Sequence, residues 1–323
     1  MCRIFSVIRN RIINPFQTLV NDYRHSYVRL GTVRLIDSVF RGSAVGNKIT
    51  KKKHEIIINI LEEKLCQTIA KYNDYDELLS YENASPVWVC WFQGVEKAPE
   101  LVKRCVKSIK HSTKHPVNII SNENIAEYCK LPEYIIEKYN KGIITNAQYS
   151  DILRMTLLSE YGGLWIDATV FIPKRIPEKV FDYDFYTCKR NLHSINYVSD
   201  YRWTSFINGC KKGCLIQRAM RDLFFEYWKT ENYLIDYLLV DYFMEVIYRN
   251  NPIAKKLIDD LPYNNSQIDC LQSVLNQAFD EDVFNKLMNS KDTFLFKLSW
   301  RIPFNEKTES GEETYYGFFV NKM

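Results

Sequence analysis

No Cys-x-x-Cys pair, no Gly-x-Gly-x-x-Gly and no phosphate-loop signature occurs in these 323 residues. Their absence removes the usual dinucleotide folds, P-loop enzymes and thiol redox motifs from consideration. The nine cysteines are odd in number and scattered, so a disulfide framework is not expected and the chain reads as cytoplasmic and reduced. Cys210 and Cys214 are four residues apart but lack two further soft ligands for zinc. His111 and His115 share that spacing, yet Pro116 follows at once, which predicts surface positions at a helix end. No apolar run reaches the length of a spanning helix, and no secretory segment, internal repeat or long low-complexity linker is read. What is present is a chain 46% hydrophobic and 14% aromatic, enough to bury the core of one large α/β domain with appendages. Its 22 tyrosines and six tryptophans suit carbohydrate contacts as well as ordinary packing.

The formal net charge of +4 is unevenly spread. Residues 1–53 hold eleven Lys or Arg against two Asp, a net of +9, which leaves 32 basic and 37 acidic residues elsewhere. In that basic segment Phe5, Ile8, Ile12, Phe16 and Leu19 recur at three- and four-residue spacing, with Arg3, Arg9 and Arg11 interleaved. The pattern predicts an interfacial amphipathic helix bent near Pro15, then a second basic apolar segment from Tyr27 to Phe40. The alternative is a helical layer packed on the rest of the chain, its arginines merely solvated. Nucleic acid is a poorer partner, because no recognition module accompanies the basic residues and the remainder is acidic.

From Pro86 the chain alternates: a strand to Phe92, a helix through Val102 and Val106, a strand at 117–120, then short helices around Ile125 and Ile135. Such alternation predicts an α/β fold, a mainly parallel sheet covered by helices. The organisation is a basic helical extension at 1–85 and a catalytic-type domain at 86–323. The most informative stretch is QYSDILRMTLLSEYGGLWIDATVF, residues 148–171. Ile152, Met155, Leu158 and Tyr161 have the spacing of an amphipathic helix, and Gly162 can take the conformation that stops it. Asp151 and Arg154 then lie one turn apart on one face, as a surface ion pair or a functional pair. Leu164, Trp165 and Ile166 read as a buried strand that delivers Asp167 to its end, with Thr169 on the same side and Ala168 on the other. Ligands sit at such strand ends in open α/β sheets. Residues 174–212 have the polar and aromatic character of an acceptor-side loop region. Residues 215–248 read as helical, and 292–300 as a final strand returning to the site.

Four motifs occur in order: Trp88-Val-Cys-Trp91-Phe-Gln93-Gly94 with the following APELVKRCVKSIK, then NENIAEYCKLPEYIIEKYNKG, SDILRM and YGGLWIDATVF. Together they resemble the bacterial capsular polysaccharide synthesis family, retaining glycosyltransferases with the glycosyltransferase-A fold. EYWKTENYLIDY and FKLSW, farther on, are similar but less specific. The likeness runs from about residue 86 to 302 and leaves the first eighty-odd residues outside it.

The resemblance implies transfer of a hexose, galactose or glucose first, from a UDP-sugar to a lipid-linked oligosaccharide at the inner face of the cell membrane. Asp167 matches the first carboxylate of the family's Asp-x-Asp signature. Asp151 and Arg154 match a pair that contacts donor sugar hydroxyls. Trp91 falls where relatives stack a ring on the base, although the WVCWF run also reads as a first buried strand. Gln93, Gly94, Gly163 and Trp300 complete the implied donor-binding set. Mn2+ or Mg2+ is implied at Asp167 and Thr169, where Thr169 replaces a second carboxylate with a weaker neutral hydroxyl. Relatives often add a C-terminal ligand, but residues 292–300 offer Asp292, Thr293 and Ser299 and no histidine. A catalytically silent sugar-binding or assembly protein of the same fold is the alternative. A hydrolase would need a convincing second carboxylate, and none is found.

Overall fold

The computed structural model describes residues 14–73 and 85–322. Phe5, Ile8 and Ile12 of the expected interfacial helix lie outside the described residues. Three helices come first, α1 (Asn14–Arg24), α2 (Val28–Phe40) and α3 (Ala44–Ala70). Then come β1 (Val87–Cys90), α4 (Glu100–His111), β2 (Val117–Ile120), α5 (Asn146–Tyr161), β3 (Gly163–Ile166) and β4 (Val170–Phe171). The chain continues through β5 (Phe185–Thr187), β6 (Ile207–Cys210), α6 (Leu215–Thr230), α7 (Leu239–Asn250) and β7 (Phe296–Lys297), with α8 (Tyr315–Lys322) at the end.

The main sheet has the order β2-β1-β3-β6-β5. β1 pairs in parallel with β2 and β3, whereas β6 is antiparallel to β3 and β5 is antiparallel to β6. Four strands therefore run one way and β6 alone runs the other, the mainly parallel α/β arrangement that the alternation predicts. Strand alternation divides the side chains between two cores. Trp88, Trp165 and Phe185 enter one core with α3, α5, α6 and α7. Val87, Val89, Leu164 and Ile166 enter the other with α4 and α8. Burial on both faces explains why β1 and β3 read as continuous apolar runs.

Two local expectations are corrected. α5 is not amphipathic: from Gln148 to Ser159 all its residues except Ser150 are buried, because the helix lies between β3 and α6. Gly162 does end it, with φ 69° and ψ −156°, a backbone open to glycine rather than the left-handed helical state. Gly163, with φ 93°, is needed on two grounds: a Cβ there would also stand 2.0 Å from the Pro86 carbonyl oxygen.

The N-terminal helices are packed on the sheet-bearing part of the chain and share its first core through Leu30, Ile57, Leu61 and Leu65. Arg34 reaches the buried Asp22 at 2.8 Å and Asp236 at 3.2 Å. His54 Nδ1 lies 2.7 Å from the Tyr242 hydroxyl, and Arg249 pairs with Glu55 at 2.8 Å. For residues 14–73 the packed helical layer is thus what is observed, and among the described residues Phe16 and Tyr23 of α1 and Ile36, Val39 and Phe40 of α2 are exposed.

Candidate functional site

A cleft of ≈ 640 Å³ opens at the C-terminal ends of β1 and β3, walled by the N-terminal half of α5 and by residues 297–301. Trp91, Gln93, Asp151, Arg154, Asp167, Thr169 and Trp300 all line it. Seven residues that the resemblance implicates thus lie around one cleft. Gly94 and Gly163 are not among its lining residues. Gly94 serves the turn after β1 through its φ of 81°, and Gly163 begins β3, at the opposite end of that strand from Asp167.

The side chain of Asp167 is held from two directions. Oδ1 accepts from Arg154 Nη2 at 3.1 Å and from Trp165 Nε1 at 3.0 Å, and Oδ2 accepts from Lys297 Nζ at 3.0 Å. Lys297 also donates to Thr169 Oγ1 at 2.5 Å, so Asp167 and Thr169 do share one side, but through a turn closed by the Val170 amide on the Asp167 carbonyl at 2.9 Å and not by strand alternation. Burial works against the Asp167 carboxylate, yet Lys297 and Arg154, helped by Trp165, hold it below its ordinary range. The Arg154 guanidinium lies 5.0 Å above the Trp165 ring and 3.1 Å from Asp151 Oδ1. That approach to Asp151 is an ion pair without hydrogen-bond alignment, because Nη1 and Nε have no hydrogen-bond partner among the described residues.

Asp151 behaves differently from Asp167. Burial pushes its carboxyl up to about 7, Arg154 pulls it down, and Asp167 and Asp241 push it up again. Asp241, which accepts from Trp203 Nε1 at 3.0 Å, is raised by burial to about 6. Asp151 is thus raised between Asp241 and an Asp167 that stays ionised. Cys90 also lines the cleft, but burial, with Asp167 nearby, pushes its thiol up to about 12, which removes it as a nucleophile. At the mouth, Trp91 and Trp300 meet edge to face at 5.8 Å, and Trp300 stays 43% exposed.

Lys297 carries no local signal in the sequence, because a single lysine on a two-residue strand shows neither a period nor a motif. Its placement follows from register: β7 pairs antiparallel with β4, Lys297 lies opposite Val170, and the Leu298 amide donates to the Thr169 carbonyl at 2.9 Å. The Mn2+ or Mg2+ expected at Asp167 and Thr169 does not fit this donor set. Both expected donors already accept from Lys297, and a dication between them would sit against an ammonium of like charge. Among the described residues, no three His, Cys, Asp or Glu side chains group as a metal site.

Comparison with known proteins adds the lineage. The profile described as "Capsular polysaccharide synthesis protein" matches residues 39–319. The chain belongs to that family. The match begins at the end of α2, so the family's shared unit includes all of α3 and not only the region from residue 86. No curated protein matches the sequence. Among solved structures, "PaToxG Glycosyltransferase" is similar at 14% identity and a TM-score of 0.35, over 76% of this chain and 95% of that one. "WbbM bifunctional glycosytransferase apo structure" is similar at 10% identity and a TM-score of 0.36, over 78% of this chain and 52% of that one.

Proposed function

We propose that this capsular polysaccharide synthesis protein is a retaining glycosyltransferase that moves a hexose, galactose or glucose first, from a UDP-sugar to a lipid-linked oligosaccharide. The observation that carries the reading is Asp167, ionised and clamped between Arg154 and Lys297 at a strand end, with two tryptophans at the mouth of the same cleft. Each part has a use. Asp151 accepts hydrogen bonds from sugar hydroxyls, and Arg154 sets the angle between Asp151 and Asp167. The exposed face of Trp300, braced by Trp91, suits a pyrimidine ring. The cleft's cations, Lys97, Arg154, Lys297 and Arg301, outnumber the carboxylates that line it, which favours a dianionic ligand.

A lipid-linked acceptor requires the enzyme to work at a membrane surface. No described helix is long and apolar enough to cross a membrane. Around the turn between α2 and α3, however, Ile36, Val39, Phe40 and Val45 are exposed beside Arg41, Lys48, Lys51 and Lys52. Apolar side chains ringed by basic ones fit an anionic leaflet, where each basic residue adds about 1 kcal/mol. This surface is proposed as the contact with the inner face of the cell membrane.

The test is UDP release by the purified protein across a panel of UDP-sugars, with and without a lipid-linked glycan extract. Acceptor-stimulated release from one donor is expected. The rival reading, a catalytically silent sugar-binding or assembly protein, takes its support from Thr169 standing where a second carboxylate is usual. Tight UDP binding with no release across the whole panel would select it.

A further inference from the structure

In a nucleoside-diphosphate sugar site the charge that grows on the departing diphosphate must be neutralised. Taking the cleft as such a site, we propose that Lys297 does this itself, its ammonium standing where a metal ion would otherwise be required. Three observations support the assignment. First, the position: Lys297 Nζ is 3.0 Å from Asp167 Oδ2 and 2.5 Å from Thr169 Oγ1, on the two residues of the D-x-T sequence to which a metal would be assigned. Second, the spare donor: an ammonium has three N–H groups, two are used, and the side chain remains 27% exposed on the cleft wall. Third, the anchoring: Lys297 lies on β7, tied to β4 by strand pairing, and its own amide donates to the Ile268 carbonyl at 2.9 Å. The charge is therefore fixed before substrate arrives, as electrostatic stabilisation of a leaving group requires.

Thr169 fits the same account. A second carboxylate at that position would cancel the lysine, whereas a hydroxyl accepts its hydrogen bond and leaves the charge available to phosphate. In the transfer step the acceptor hydroxyl oxygen forms a bond to the anomeric carbon. The bond from that carbon to the phosphate oxygen breaks, and its electron pair stays on the diphosphate. The acceptor's proton passes to the departing diphosphate. Lys297 donates a hydrogen bond to the leaving oxygens throughout and exchanges no proton, so it acts by charge and position.

Calorimetric titration of the full chain with uridine, UMP and UDP in EDTA and in Mn2+ tests this, using wild type, Lys297→Met and Lys297→Arg, with thermal melting to confirm folding. Wild type is expected to bind UDP equally in EDTA and Mn2+. Lys297→Met should lose about tenfold or more in UDP affinity, the size of one charge-assisted hydrogen bond, while uridine affinity stays unchanged. Lys297→Arg should recover most of the loss, and added Mn2+ should not rescue the methionine variant. UDP binding that needs Mn2+, or a methionine variant that binds UDP as well as wild type or better once Mn2+ is added, would overturn the proposal and make Lys297 a stopper over a metal site. Failure of folded wild type to bind UDP, GDP, CDP or ADP under either condition is a separate result. It would remove the diphosphate-sugar reading itself and the role of Lys297 with it.

Discussion

Beside Asp167, Arg154 and Lys297 each face a carboxylate at about hydrogen-bond distance, and the arginine is almost wholly buried. At the turn between α2 and α3, Lys48, Lys51 and Lys52 are exposed and have no carboxylate partner among the described residues. The two regions carry the same kind of charge for different ends. Paired, desolvated charges fix a geometry, and losing one partner leaves the other stranded. Free surface charges act nearly additively, are screened by salt, and fix nothing.

Substitutions can break this contrast in order of size. Asp167→Asn should be the most damaging, since it leaves Arg154 and Lys297 facing a neutral amide. Donor turnover is expected to fall at least about 100-fold and stability by about 3–5 kcal/mol, read by UDP release and chemical unfolding. Full transfer at unchanged stability would remove Asp167 from the machinery.

The next effect is a pH dependence in which activity and stability move in opposite directions. Asp151, raised to about 7, is neutral below that pH and ionised above it. Donor kcat/KM should therefore rise about tenfold per pH unit up to neutrality and then level off, and Asp151→Asn should flatten that limb. For stability, the folded state keeps a proton that the unfolded chain gives up near its ordinary carboxyl range. This group's contribution consequently falls as pH rises from about 4 to about 7, by at most about 1.4 kcal/mol per unit. A slope that persists in Asp151→Asn would assign it elsewhere, with Asp241 the next group to examine.

The smallest effect belongs to the exposed region. Lys52→Ala should weaken co-sedimentation with anionic vesicles about fivefold, one residue's share of roughly 1 kcal/mol. Donor turnover in solution should not change, and neutral vesicles should bind neither form. Equal binding of both forms to anionic vesicles would move the contact away from this turn.

Local spacing made part of the cleft legible. Asp151 and Arg154 are three apart on one helix, and Asp167 follows a four-residue apolar strand joined to that helix by the Gly162-Gly163 turn, so the chain doubles back and brings them to the C-terminal end of a central strand. The other parts depend on long-range register. Lys297 reaches Asp167 across 130 residues, through a two-residue strand too short to show any period. Gly163 illustrates the same dependence: it stands beside the motif without lining the cleft, and only the approach of Pro86 shows that it accommodates backbone. The burial of α5 on all sides was likewise hidden, because Asp151, Arg154 and Ser159 are polar for reasons of partnership and not of exposure.

Asp241 and Tyr242 are neighbours on α7, one tied to Trp203 and the other to His54 on α3. At the helical rise of 1.5 Å per residue, His54 lies about 15 Å along α3 from Ala44. The tip that carries the basic turn is thus the end of a rigid strut, not of a tether. If the tip rests on a surface as proposed, the cleft would be held at a set stand-off from it, and under the proposed transfer the reach of the acceptor, rather than any swing of the chain, would decide which hydroxyl arrives at the sugar.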